Sequence, residues 1–148
     1  MGHTHSHTPQ TIDALLDACR AAGMRRTMAL RCFLEVLLEE SRPMTLPEIA
    51  GHPRFGITCD PATLYRLAAR LEEHRLIRQI GFHSRAAHYL LRGGAHQDYL
   101  ICRDCGSIAV LDVECPVHEL EKNIETTSGF SDIEHELEFY GTCRACRN

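Results

Sequence analysis

The sequence predicts an α+β protein in two parts. In the first half, apolar residues recur at helical spacing, and two short stretches that suit a β-hairpin follow them. In the second half, strand-like stretches surround one predicted helix, with Cys-x-x-Cys pairs on either side of that helix. Helices first and a small mixed unit afterwards indicate two structural units in one short chain.

The chain of 148 residues has an ordinary composition, with 44% apolar and 24% charged residues. No apolar run is long enough to predict a membrane span, and the N-terminus lacks the basic and apolar regions of a signal peptide. We therefore expect a cytoplasmic protein with reduced thiols. Its eight cysteines are then expected to be metal ligands and small core residues.

Charge is distributed unevenly along the sequence. The net charge of −4 argues by itself against nucleic-acid binding. However, residues 20–92 hold most of the arginines, whereas residues 112–138 are rich in Glu and Asp. A basic half followed by an acidic half is typical of a DNA-binding domain joined to a second module.

Residues 1–10 are predicted to be a flexible tail. His3, His5 and His7 alternate there with Gly, Thr and Ser. Such a tract can bind metal weakly, or it can be a disordered extension without a role in the fold.

Four helices are predicted between residues 11 and 75, each with apolar residues on one face. The third opens with a capping box formed by Thr45 and Glu48. The fourth opens with Asp60 as its N-cap and Pro61 in its first turn.

The exposed face of the fourth predicted helix suits entry into a DNA major groove. It combines alanines with Tyr65 and Arg66. Small residues let the backbone approach, while Tyr can meet thymine methyl groups and Arg can reach guanine or phosphate. Arg25, Arg26 and Arg31 flank the start of the second helix, where they could touch phosphates. For all these residues, a solvated surface is the alternative interpretation.

A β-hairpin is predicted after the fourth helix, with strands at residues 76–80 and 87–91. Helices followed by a hairpin give the order of a winged helix-turn-helix domain, in which the hairpin is the wing. We assign this domain to residues 11–93, and Gly93 and Gly94 form a natural hinge after it.

Residues 94–148 are predicted to form a small α/β unit. Its expected elements are strands at 96–102 and 107–113, a helix at 116–127 and an alternating strand at 133–139. The helix is expected to turn Val117, Leu120 and Ile124 inward. In the last strand, His135 lies on the apolar face and is expected to point inward.

Four cysteines can supply thiolates to one tetrahedral Zn²⁺ ion, namely Cys102, Cys105, Cys143 and Cys146. The two-residue spacing lets a tight turn aim both sulfurs of a pair at the same ion, and Gly106 suits such a turn. A redox-active pair or two disulfides are the alternatives. We favour zinc, because a lone redox motif would not need a second pair.

A second set of potential metal ligands comprises His96, Asp98, His118 and His135. Their nitrogen and oxygen donors suit Zn²⁺, Fe²⁺, Mn²⁺ or Ni²⁺. His118 is the least certain member, and Glu114 or Glu121 could replace it. The alternative is a hydrogen-bonded core histidine accompanied by a surface His and Asp.

Taken in chain order, these motifs resemble the ferric uptake regulator (Fur) family of bacterial metal-dependent repressors. The resemblance covers residues 11–147, and the ordered set of matches is very specific. The matching segments are Arg26-Thr27 with Arg31, Thr63-Leu-Tyr-Arg66 with Leu67 and Leu71, Tyr89, His96-Gln-Asp-Tyr-Leu-Ile-Cys102-Arg-Asp-Cys105-Gly106, Gly129-Phe130, and His135 through Gly141-Thr-Cys143-Arg-Ala-Cys146.

The resemblance implies a homodimer with an N-terminal winged helix and a C-terminal dimerisation domain. It implies a structural zinc on the four cysteines and a regulatory Zn²⁺ or Fe²⁺ on the second set, where the family usually has Glu at the position of His118. The implied DNA-binding residues are Arg26, Thr63, Tyr65 and Arg66. The expected function is metal-activated repression of metal-homeostasis genes through palindromic DNA operators.

The chain departs from the family pattern at the hinge. The family's sensor site there draws on alternating histidines before Cys102 and on a carboxylate or Cys near the wing, but those positions are Gln97, Tyr99 and Leu90. Candidates to rebuild that site are His83, His88, Cys59 and Cys115. A peroxide-sensing regulator is therefore less expected, and three His with one Asp mildly favour Zn²⁺.

Two other functions remain open from the sequence. A zinc-ribbon interaction module would show no salt-dependent affinity for DNA. A zinc hydrolase would keep one coordination position open at the His96 site and use Glu121 as a general base. We expect a binding protein and not an enzyme.

Overall fold

The computed structural model describes residues 10–147. The chain forms two compact units that divide between Ala95 and His96. The predicted tail with His3, His5 and His7 lies outside the described residues. Among the described residues, no helix has the length and apolar character needed to cross a membrane.

The first unit is built from helices followed by a hairpin, as the sequence predicted. Its elements are α1 (Ile12–Ala21), α2 (Met28–Glu40), α3 (Leu46–Gly51), a 3₁₀ helix (Pro53–Phe55), α4 (Pro61–Glu73), β1 (Ile77–Ile80) and β2 (His88–Leu91). The order of elements is that of a winged helix-turn-helix domain.

Side-chain caps explain where three of these helices begin. The Thr27 hydroxyl caps α2. At α3, the Thr45 backbone N–H donates to Glu48 Oε2 at 2.7 Å, which completes the predicted capping box. At α4, Asp60 Oδ1 accepts a hydrogen bond from the Thr63 N–H at 3.0 Å. Each cap satisfies a backbone N–H that has no partner inside its helix.

A single buried cluster, spanning residues 15–89, holds the first unit together. Within it, α4 buries Leu64, Ala68 and Leu71, which recur at helical spacing. The opposite side of α4 is therefore left exposed to solvent. Burial of one face thus determines which α4 side chains are available to a partner.

The wing is an antiparallel hairpin in which Arg78 pairs with Leu90. Met44 pairs with β2 through an isolated bridge, since Met44 N–H donates to Tyr89 O at 2.9 Å and Tyr89 N–H donates to Met44 O at 2.7 Å. The hairpin is therefore anchored to the helical part of the unit.

The second unit contains a three-stranded sheet and one helix. Its elements are β3 (Tyr99–Cys102), β4 (Ile108–Val110), α5 (His118–Ser128) and β5 (Glu138–Gly141). The strand order is β4-β3-β5, with β3 antiparallel to β4 and parallel to β5. The register pairs Cys102 with Gly141, so the two strands that lead to the Cys-x-x-Cys pairs end side by side.

Two predictions for the second unit were wrong in detail. The strand predicted at 133–139 is limited to β5, and His135 lies in the irregular segment before it. Leu120 and Ile124 of α5 are 52% and 38% exposed, although they were expected inside. The helix forms as predicted, but no surface among residues 10–147 buries these two side chains.

Candidate metal centres and a candidate nucleic-acid surface

The four predicted cysteines come together at one end of the β3–β5 pair. Their sulfur atoms all lie within 4.8 Å of one another. Cys105 Sγ and Cys143 Sγ are 3.8 Å apart. Two thiolates bound to one tetrahedral Zn²⁺ at about 2.3 Å each would be separated by about 3.8 Å. The arrangement therefore fits a tetrahedral zinc ion, and all eight cysteines are free thiols.

The thiols of this four-Cys cluster differ in their pKa values. Backbone N–H groups of Cys105 and Cys143 donate to the Cys102 sulfur and lower the pKa of that thiol to about 6. Hydrogen bonds with the thiols of Cys143 and Cys105 raise the pKa of Cys146 to about 12. Four negative sulfurs this close together repel one another unless a cation lies between them. The cluster therefore has the chemistry of a divalent-metal site.

A second group of donor atoms joins His96, Asp98 and His135 to Cys115, again with all four atoms within 4.8 Å of one another. His96 Nε2 lies 3.1 Å from Asp98 Oδ1. Cys115 Sγ lies 3.0 Å from His135 Nε2, and the two imidazole ring centroids are 4.5 Å apart. We call these four residues the His/Asp/Cys cluster.

Asp98 shows that this cluster suits a cation. Its side chain is only 4% exposed, and its Oδ1 atom has no hydrogen-bond partner. His96 Nε2 is close to that oxygen but is not oriented to form a hydrogen bond with it. A buried carboxylate oxygen is costly unless it is paired, hydrogen-bonded or bound to a metal.

His118 is not a member of the cluster, and the structure places Cys115 there instead. His118 Nδ1 lies 3.6 Å from Glu121 Oε2. Cys115 belongs to the segment between β4 and α5. The donor group in the structure therefore contains Cys115 where the sequence predicted His118, and periodicity could not predict the course of the irregular segment that carries Cys115.

Glu121 lies behind the cluster and orients one of its histidines. Its Oε1 atom is 2.5 Å from His135 Nδ1. With a proton on Nδ1 donated to this carboxylate, the lone pair of Nε2 faces Cys115 Sγ and the other donors. From the sequence, Glu121 is expected only as a substitute ligand or as a general base.

Of the four candidates for a rebuilt hinge site, only one belongs to a group of donor atoms among residues 10–147. Cys115 belongs to the His/Asp/Cys cluster, whereas His83, His88 and Cys59 belong to neither group of donor atoms found among residues 10–147. The signal that could have identified Cys115 is its nearness in sequence to the helix that carries Glu121.

The exposed face of α4 carries three of the four residues that were predicted to contact nucleic acid, Thr63, Tyr65 and Arg66. Tyr65 is 61% exposed. Arg66 Nη2 donates to Thr63 Oγ1 at 3.1 Å, and that hydroxyl donates to Asp60 Oδ2 at 2.5 Å. The Thr63 hydroxyl and N–H also hold the pKa of Asp60 below its usual value. Arg26 is exposed immediately before the Thr27 cap of α2.

Known proteins are similar to this chain in sequence and in fold. Residues 22–140 match the Ferric uptake regulator family. The ferric uptake regulation protein of Campylobacter jejuni is 35% identical over 137 residues, which cover 87% of this chain and 83% of that protein. The zinc uptake regulation protein of Mycobacterium tuberculosis is 30% identical over 134 residues, covering 86% and 98%.

A solved structure supports the same architecture. The Helicobacter pylori ferric uptake regulator Fur superposes with a TM-score of 0.72 at 17% identity, covering 94% of this chain and 95% of that one. At this level of identity the likeness concerns the fold.

Proposed function

Because the chain belongs to the ferric uptake regulator family, we propose that it is a metal-dependent DNA-binding repressor of metal-homeostasis genes. The first unit binds DNA through a winged helix. The four-Cys cluster holds a structural zinc, and the His/Asp/Cys cluster holds the regulatory metal. The protein works in the cytoplasm, where its thiols stay reduced.

The position of His96 in the chain is the main support for this proposal. His96 opens the second unit and follows Gly93, Gly94 and Ala95 directly. A metal ion held by His96 restrains the chain at the point where the two units join. That restraint lowers the ordering cost of DNA binding, so the metal-loaded protein binds its operator more tightly.

Exposed apolar side chains in the second unit support a homodimer. Leu100 and Phe139 are paired in register on adjacent strands, and each is 44% exposed. With Leu120 and Ile124 they give this unit considerable apolar surface that the described part of the chain leaves exposed. A second copy of the chain would cover it, and a two-fold dimer fits a palindromic operator.

In this proposal Tyr65 and Arg66 contact base edges and Arg26 contacts a phosphate. Thr63 is proposed to act through Arg66, because its hydroxyl accepts a hydrogen bond from the Arg66 guanidinium. Glu121 is engaged by His135, an arrangement that suits an orienting role better than that of a hydrolytic base.

An Arg66→Ala variant is expected to lose about 1–3 kcal/mol of specific DNA affinity while keeping non-specific binding. The measurement is fluorescence anisotropy with a promoter fragment from the protein's own operon and a scrambled fragment, at several salt concentrations.

An Arg26→Ala variant should instead reduce the slope of log affinity for DNA against log salt concentration by about one. Arg20→Ala on α1, exposed and paired with Asp17, is the matched control. Equal affinity of the wild type for both fragments would refute specific recognition.

A Glu121→Gln variant is expected to weaken metal binding at the His/Asp/Cys cluster by about 10- to 100-fold. The amide no longer holds the His135 ring as strongly as the carboxylate does. Competition with a chromophoric chelator measures the affinity. Glu119→Gln changes an exposed glutamate of the same helix and should bind as the wild type does. Equal affinities in both variants would show that Glu121 has no orienting role.

A further inference from the structure

We propose that Cys115 binds the regulatory metal as a thiolate and makes this protein selective for Zn²⁺ over Mn²⁺ and Fe²⁺. The inference rests on the proposed function, because it concerns the regulatory site of that regulator. It differs from the ligand set that the sequence predicted, which contained only nitrogen and oxygen donors.

The geometry places the Cys115 sulfur among the donors. Cys115 Sγ lies 3.0 Å from His135 Nε2, and His135 in turn stacks edge-on against His96 at 4.5 Å between centroids. A tetrahedral zinc bound by this sulfur and this nitrogen would separate them by about 3.6 Å. Only a small side-chain adjustment is therefore needed to admit the ion.

Two independent features of the site point to a bound cation. The buried Asp98 carboxylate leaves Oδ1 without a hydrogen bond. Glu121 holds the far nitrogen of His135, which turns Nε2 toward Cys115 and Asp98. The pattern of a carboxylate that supports a ligating histidine is typical of protein zinc sites.

Charge also balances at this site. When zinc binds, the Cys115 thiol releases its proton to solvent and becomes a thiolate. Thiolate and Asp98 carboxylate together carry two negative charges, and the two imidazoles are neutral. They compensate Zn²⁺ fully, which favours the ion in the partly buried site that His135 and Asp98 form.

The sulfur determines which metal is preferred. Thiolate is a soft ligand that suits zinc, whereas Mn²⁺ prefers carboxylate and water oxygens. Affinities for a given ligand set also rise from Mn²⁺ through Fe²⁺ to later metals, and zinc lies above both. Four donors of this kind suit the tetrahedral coordination of zinc.

The test uses the full chain with zinc already bound by the four-Cys cluster. Co²⁺ is added as a probe, because a cobalt–thiolate bond gives an intense ultraviolet charge-transfer band that nitrogen and oxygen ligands do not give. The band is expected in the wild type and in Cys59→Ser, and it should be absent from Cys115→Ser. Zinc content after each addition verifies that the four-Cys cluster has kept its ion.

Metal selectivity is then measured by competition with a chromophoric chelator. Cys115→Ser is expected to lose about 100-fold or more in Zn²⁺ affinity and to change in Mn²⁺ affinity by less than about threefold. Cys115→Asp should shift the preference further toward Mn²⁺. The proposal is overturned by a band that persists in Cys115→Ser, or by equal losses of Zn²⁺ and Mn²⁺ affinity.

DNA affinity in the same samples separates this inference from the proposed function. A wild type that responds to zinc on DNA but gives no thiolate band would overturn the role of Cys115 and leave the regulator intact. A wild type with the band, but with DNA affinity independent of metal, would support the ligand assignment and contradict the regulator.

Discussion

A Cys143→Ser variant is expected to lose the four-Cys zinc and, with it, the folded structure of the second unit. In the second unit, the buried side chains among the described residues are Asp98, Tyr99, Ile101 and Cys102. Such a small core cannot offset the conformational entropy of the chain without additional cross-links. Structural zinc supplies about 10–16 kcal/mol in zinc-finger peptides at neutral pH.

The loss is measured as zinc per chain after dialysis, together with amide spectra of the full-length variant. Signals of the first unit should persist, because its core is formed by residues of that unit alone. Cys59→Ser is the matched control, since Cys59 is half-buried in the first unit and lies outside both clusters. Retention of the zinc and of native second-unit signals in Cys143→Ser would exclude a structural four-Cys site.

A His135→Ala variant is expected to abolish the metal response of DNA binding. His135 contacts Cys115 through one nitrogen and Glu121 through the other, and its ring stacks against His96. Its removal should cost about 100-fold or more in affinity for the second metal, because even an orienting partner is worth 10- to 100-fold. With the second metal added to both proteins, the variant should then bind the operator at least about tenfold more weakly than the wild type, a difference of about 1.4 kcal/mol.

His118→Ala is the informative control for His135. His118 Nδ1 lies 3.6 Å from Glu121 Oε2 and outside the His/Asp/Cys cluster, although the sequence predicts it to be a ligand. We expect this variant to bind the second metal and DNA nearly as the wild type does. A loss in His118→Ala as large as that in His135→Ala would restore the ligand set that the sequence predicted.

Local signals in the sequence were sufficient to predict the helices of the first unit. The caps at Thr45 and Asp60 and the helical spacing of apolar residues gave the helices and the exposed face of α4. These signals depend on near neighbours in the chain, so no knowledge of tertiary packing was needed. The Cys-x-x-Cys spacing likewise predicted which sulfurs come together.

The sequence was insufficient to predict the position of side chains that lie in irregular segments. Cys115 enters the His/Asp/Cys cluster from the segment between β4 and α5, and His135 reaches it from the segment before β5. Neither segment has a periodicity that fixes side-chain direction. The prediction that Leu120 and Ile124 are buried was wrong for a related reason. An amphipathic pattern shows that one face of a helix is apolar, but it does not show what covers that face.

The most direct test of metal-dependent repression is the affinity for the operon's own promoter fragment as a function of the second metal. The full chain, with zinc in its four-Cys cluster, is titrated separately with Zn²⁺, Fe²⁺ and Mn²⁺ while fluorescence anisotropy reports DNA binding. The proposal predicts that Zn²⁺ tightens binding by about tenfold or more, a coupling of about 1.4 kcal/mol. Identical DNA affinity with and without every added metal would contradict it.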